Sequence, residues 1–121
     1  MDDDLFSVKG KVVIITGGGQ GIGEFLALGL SKRRAIVYCI DKKFKKSKNR
    51  RGLQDMLCDI TKLDEIKSVC SEIIKRNKKV DVLINNAGIT MPDNLDNYSL
   101  DSWTKTLDVN LTGPFLIRLP A

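Results

Sequence analysis

The chain has 121 residues, 42% of them hydrophobic and 29% charged, with three prolines and a formal net charge of +5. That is one domain's length with enough apolar residues for a core, which excludes collagen-like, mucin-like and wholly disordered chains. It contains no histidine, which excludes Ser-His triads, histidine general bases and histidine-ligated zinc.

Met1-Asp2-Asp3-Asp4 is acidic where a secretory signal is basic and then apolar, and no run approaches the ~18 apolar residues of a membrane helix. A cytoplasmic protein with no membrane partner is expected. Cys39, Cys58 and Cys70 form no C-x-x-C pair and leave an odd count, so neither a disulfide framework nor a metal site is expected.

Lys11 to Thr16 is β-branched and almost wholly apolar, the pattern of a strand buried on both faces of a parallel sheet. Glycines follow at once. Ile22, Phe25, Leu26 and Leu30 then recur at helical spacing, predicting a helix of about eleven residues that ends near Lys32 and buries that stripe. Ala35 to Ile40 is a second buried strand, closed by Asp41. The segment from Lys42 to Arg51 carries seven positive charges and no acid, and without it the chain has 13 basic against 15 acidic residues. The basic character therefore belongs to one loop, and the expectation is no nucleic-acid partner. Phe44 within it could stack on a base, but a solvated loop is the simpler reading.

Leu53 to Cys58 reads as a short third strand. Thr61-Lys62-Leu63-Asp64 resembles a capping box, in which the Thr61 hydroxyl would accept from a backbone N–H of the next helix. Leu63, Ile66, Val69, Cys70, Ile73 and Ile74 form that helix's apolar stripe, and Lys75, Arg76, Lys78 and Lys79 crowd its C-terminal end, where cations complement the dipole. Val80 to Ile84 is a fourth strand, Asn85 to Asn97 a loop, and Ser99 the cap of a last helix through Trp103, Leu107, Asn110 and Leu111. The alternation of strands and helices predicts right-handed crossovers and a parallel sheet covered on both faces.

The densest chemical signal is Thr16-Gly17-Gly18-Gly19-Gln20-Gly21-Ile22-Gly23, joining the first strand to the first helix. Glycines allow a tight turn and close approach of a ligand to the backbone, and the helix N-terminus offers free N–H groups to a pyrophosphate. Gly17, Gly19, Gln20, Gly21, Ile22 and Gly23 are the candidate contacts. The spacing is G-x-x-x-G-x-G, through Gly17, Gly21 and Gly23, rather than G-x-G-x-x-G. Asp41 lies 18 residues after Gly23, near the ~20 expected of an acid that accepts from the adenosine ribose hydroxyls. A carboxylate there repels a 2′-phosphate, and Gln20 supplies no cation for one, which favours NAD. Lys42 and Lys43 beside the ribose leave NADP open.

Together the glycine loop, Asp41, Cys58-Asp59-Ile60, Asn85-Asn86-Ala87-Gly88 and Asp108-Val109-Asn110 resemble the short-chain dehydrogenase/reductase family, classical type, from Lys11 to about Phe115. The resemblance implies an α/β fold: the N-terminal half of a Rossmann-like doubly wound parallel sheet, strand order 3-2-1-4. It implies that Asp59 and Ile60 lie against the adenine and that Asn86, Ala87 and Gly88 flank the cofactor. Asn110 would be the first member of the Asn-Ser-Tyr-Lys catalytic tetrad, helping to hold a proton-relay water. Pro114 bears on this: it has no N–H for the carbonyl of Asn110, so it either frees that carbonyl and kinks the helix or simply ends it.

The family's chemistry also needs a Tyr-x-x-x-Lys pair on one helix, with a serine upstream. That pair is expected several tens of residues beyond 110–115, and the sequence runs to Ala121. Tyr38 and Lys42 have the spacing but fall on a strand, roughly 13 Å apart, beside the ribose acid. Tyr98 is followed at that spacing by Ser102. Residues 1–121 are therefore expected to form a single NAD(P)-binding domain that stops before the catalytic Ser/Tyr/Lys segment, inactive alone. Its family partner would be a small alcohol or carbonyl substrate, and it is expected to self-associate. Two rival readings are a non-catalytic regulatory or vestigial nucleotide-binding module, and a basic-loop module for an acidic partner.

Overall fold

A computed structural model describes residues 4–44, 50, 52–89 and 98–118. After a short 3₁₀ turn at Asp4–Phe6, the order is β1 (Val12–Thr16), α1 (Gly21–Lys32), β2 (Ile36–Asp41), β3 (Leu53–Leu57), α2 (Leu63–Asn77), β4 (Val82–Asn85), α3 (Leu100–Leu107), a π-helical turn (Asp108–Thr112) and α4 (Gly113–Arg118). Residues 45–49 and 51 of the basic run and 90–97 of the expected loop lie outside the described residues.

The four strands form one sheet of order β3-β2-β1-β4, parallel throughout, the expected Rossmann-like half. Strand periodicity explains the two cores. Val12, Ile14, Tyr38 and Ile40 point to one face and pack with Ile66, Val69, Cys70 and Ile73 of α2 and Ile117 of α4. Val13, Ile15, Val37 and Cys39 point to the other, against Ala27 of α1. Every residue of β1 is buried, as its unbroken apolar run demands.

Two expectations need correction, and one open alternative is decided. The buried face of α1 is not the stripe of large residues: Gly23 and Ala27 are buried, while Ile22 and Phe25 are exposed. A Cβ at Gly23 would strike the carbonyl oxygen of Gly17 and Asn86 Nδ2, so the helix packs through its small residues at close range. The capping box does not form. The Thr61 hydroxyl donates instead to Asp59 Oδ1 at 2.6 Å, and Lys62 occupies the N-cap with no side-chain hydrogen bond. Of the two outcomes left open at Pro114, the structure excludes the ending: the helix runs on through Arg118. The extra residue is absorbed in the π turn, where the Gly113 N–H reaches the carbonyl of Asp108.

Other expectations hold closely. Ser99 caps α3, its hydroxyl accepting from the Ser102 N–H at 3.0 Å. The fourth strand starts two residues late because Asp81 is used as an anchor: its Oδ2 accepts from the Val12 N–H at 2.7 Å and its N–H donates to the Val12 carbonyl. Those contacts, first the Val12 N–H and then the Lys79 ammonium, hold the Asp81 carboxyl below the usual range.

Candidate functional site

In the order β3-β2-β1-β4 the chain winds outward from β1 to β3 and then crosses back to β4, so the topological switch point lies between β1 and β4. Crevices at such points, beyond the carboxyl ends of the strands, are where open α/β sheets bind ligands. A cleft of about 590 Å³ opens there.

Its floor is the glycine loop. Gly17 and Gly21 have φ of +68° and +60°, left-handed conformations that favour glycine. A Cβ at Gly17 would lie 2.9 Å from Ala87 Cα, whereas the space before Gly21 is open. Thr16, just before the loop, is buried, and its hydroxyl accepts from the N–H groups of Asn86 and Ala87, both at 3.0 Å. Asn86 Nδ2 donates in turn to the Gly17 carbonyl at 3.1 Å. The segment after β4 is thus fastened to the start of the loop, which brings Gly17, Gln20, Gly21 and Ile22 into one wall with Asn86, Ala87 and Gly88. The first N–H groups of α1 have no intrahelical partners and can receive an anion.

Asp41, Asp59 and Ile60 also line the cleft. Asp41 Oδ2 accepts from the Gly19 N–H at 3.0 Å and Oδ1 from the Lys42 N–H at 2.8 Å. Asp59 accepts from the backbone and hydroxyl of Thr61 at 2.9 and 2.6 Å, with Lys42 Nζ 3.8 Å away. Burial alone would raise the Asp59 carboxyl, but the Thr61 bonds and the nearby lysines outweigh it and hold the group below its usual range. Two carboxylates therefore face the cleft, both suited to accept from hydroxyls. Cys58 also lines it, its thiol pushed up to about 12 by burial and then by Glu65, which makes it inert. Among the described residues no group of three or more metal-ligating side chains gathers.

Gly19 and Gly23 sit behind this lining, Gly19 against Asp41, Lys43 and Phe44, and Gly23 against Gly17 and Asn86. Asn110 lies just outside it on the π turn, and its amide is spent on the backbone of Ile89: Oδ1 accepts at 2.8 Å and Nδ2 donates at 2.9 Å. Tyr38 is buried beneath α2, where its hydroxyl accepts from Asn77 Nδ2 at 2.7 Å, well away from the cleft lining.

Sequence reasoning missed two residues. Thr16 fastens the two halves of the floor, and only its place at a strand end before the glycines hinted at this. Arg50 was read as one more charge in a solvated run. It turns inward, pairing with Glu24 and Asp55, so its own charge is not presented to a polyanion.

The family model for short chain dehydrogenases matches residues 11–119. The chain is 32% identical over 120 residues to an NAD-dependent glycerol dehydrogenase of Listeria innocua, covering 95% of this chain and 47% of that protein. It is 33% identical over 123 residues to a 5-keto-D-gluconate 5-reductase of Escherichia coli, covering 95% and 48%. It superposes with a TM-score of 0.88, at 29% identity, on the crystal structure of a short chain dehydrogenase from Leptospira borgpetersenii with bound NAD+, covering 98% of this chain and 47% of that one. The chain spans about half the length of the curated relatives it matches. The glycine-floored cleft at the switch point and the family match over most of the sequence lead to one conclusion: the chain belongs to the short-chain dehydrogenase family.

Proposed function

We propose that this chain is the NAD(H)-binding portion of a short-chain dehydrogenase. The observation that carries the reading is the presence of open helix N–H groups at Gly21 and Ile22 and of the Asp41 carboxylate in one cleft. A dinucleotide needs both, one for its pyrophosphate and one for its adenosine ribose. The residues present fit the group: left-handed glycines floor the cleft, and the space before Gly21 is open. Gly17, Gln20, Gly21 and Ile22 would hold the pyrophosphate side, with Gly19 and Gly23 shaping the loop from behind. Asp41 would hold the ribose, Asp59 and Ile60 the adenine, and Asn86, Ala87 and Gly88 the opposite wall.

The nicotinamide supplies hydride transfer to or from an alcohol/carbonyl pair when bound, and the protein's part is to bind and orient it. Asn110, locked to Ile89, would present its main-chain carbonyl as the first member of the proton relay. The chain alone is inactive in this reading, because neither of its tyrosines can act as the family's acid/base. Tyr38 is buried in the core, and Tyr98 has Ser102 where lysine is required. General acid/base catalysis contributes typically 10²–10⁴-fold, and the group that supplies it is missing here. A cytoplasmic setting suits three buried free thiols.

Two measurements test this. NADH should bind more tightly than NADPH at moderate salt, and Asp41→Ala should narrow the gap. Equal affinities in the parent chain would contradict the role of Asp41 and point to Lys42 and Lys43 as phosphate ligands. A panel of alcohols and ketones should give no turnover. Turnover that persists through purification and disappears in Tyr38→Phe would overturn the inactivity.

A further inference from the structure

We propose that Arg50 is a positioning residue for the glycine loop: together with Asp41 it clamps the Gly18–Gly19 peptide at both ends and thereby sets the affinity of the loop for a diphosphate. The inference rests on the cofactor reading above and deepens it.

The geometry is specific. Arg50 Nη2 donates to the Gly18 carbonyl at 2.8 Å, and the Gly19 N–H donates to Asp41 Oδ2 at 3.0 Å. These are the two polar groups of a single peptide unit. In a trans peptide they point in opposite directions, so one partner on each side fixes the plane. A flipped peptide would turn a carbonyl oxygen toward the Asp41 carboxylate and an N–H toward the guanidinium, which is repulsive at both ends. Three glycines stand in a row here, Gly17-Gly18-Gly19, and glycine populates both signs of φ. Without a clamp this stretch has many backbone states, and a ligand would have to select one of them.

Arg50 is itself fixed firmly enough to act as an anchor. Its Nε and Nη2 make a bidentate pair with Asp55, at 2.6 Å to Oδ2 and 2.9 Å to Oδ1, and its Nη1 lies 2.8 Å from Glu24 Oε2. The ring of Phe44 lies 5.1 Å from the guanidinium carbon, and the side chain is 8% exposed. Glu24 is in the first turn of α1, so one guanidinium joins β3, the glycine loop and the helix start. Lysine cannot reproduce this, because its donors radiate from one point and lack the planar fork. Arg50 is not among the residues lining the cleft, so it acts through the loop and not by touching a ligand.

The test uses the full chain with Arg50→Met and Arg50→Lys. The probes are NADH, ADP and adenosine, titrated well below the unfolding transition, with exchange of the Gly19 amide followed by NMR without ligand. Arg50→Met should weaken NADH and ADP about tenfold, the size of one charge-assisted hydrogen bond, and leave adenosine within about twofold. Gly19 exchange should accelerate. Arg50→Lys should recover only part of the loss, and it carries the test if Arg50→Met does not fold. Unchanged NADH and ADP affinities would overturn the role of Arg50 alone. Equal losses for all three probes would also overturn it, as the mark of a general structural defect. A parent chain that binds neither NADH nor ADP would overturn the cofactor reading and this inference together.

Discussion

The β1–α1 side of the molecule and the α3–α4 side are built on different terms. On the first, polar side chains hold the backbone: Thr16 takes two N–H groups from the segment after β4, Asn86 returns a bond to Gly17, and Asp41 and Arg50 hold one loop peptide between them. On the second, large apolar side chains face outward, as Ile22 and Phe25 of α1 also do. Trp103 is 55%, Leu111 66% and Phe115 50% exposed, and among the described residues β4 pairs with β1 on one side only. The contrast separates two kinds of requirement. Gripping a dinucleotide needs backbone set to fractions of an ångström, which local hydrogen bonds supply. The α3–α4 face instead presents the kind of apolar surface that is stable only when covered.

The largest expected effect breaks the first side. Gly23→Ala places a methyl against the Gly17 carbonyl and the Asn86 amide, which are hydrogen-bonded to each other, so that backbone and bond must shift. The cost should be about 3 kcal/mol or more, a large share of the ~5–15 kcal/mol a domain has available. A fall in the denaturant midpoint together with loss of NADH binding would bear this out. A variant as stable as the parent would show that the loop is less tightly built than described.

The opposite experiment relieves the second side. We expect the chain to self-associate through the α3–α4 face and the free edge of β4, whose unpaired N–H and C=O groups template pairing. Replacing Leu111 and Phe115 together with glutamate should shift sedimentation toward monomer while changing NADH affinity by less than about threefold, since neither residue lines the cleft. Undiminished association would place the contact elsewhere.

These contrasts also explain what the sequence made legible. The strands were readable because β-branched runs such as Val12 to Ile15 have one economical use, burial in a parallel sheet, while the sheet order came from the family resemblance. The floor of the cleft was readable because left-handed turns favour glycine, and a run of glycines marks a tight one. What failed was decided by partners that the local pattern does not reveal, near in sequence or far. Ile22 and Phe25 looked like a buried face because hydrophobicity cannot register that Gly23 and Ala27 let a helix approach more closely. Thr61 looked like a cap, but the Asp59 carboxylate two residues earlier took its hydroxyl, and Glu65 turned to the Asp59 N–H. Arg50 was hidden among like charges, with its partners at Gly18 and Glu24 far away along the chain.

The central claim is that this chain by itself forms a dinucleotide site, and thermal unfolding with and without NAD+ tests it most directly. A ligand that binds only the folded state at about 100 times its Kd adds roughly 2.7 kcal/mol. Without NAD+ the transition should be marginal, and as NAD+ is added it should sharpen and move upward by several degrees, in proportion to the logarithm of the NAD+ concentration. A monomer with a sharp, cooperative transition that saturating NAD+ leaves unchanged would contradict it.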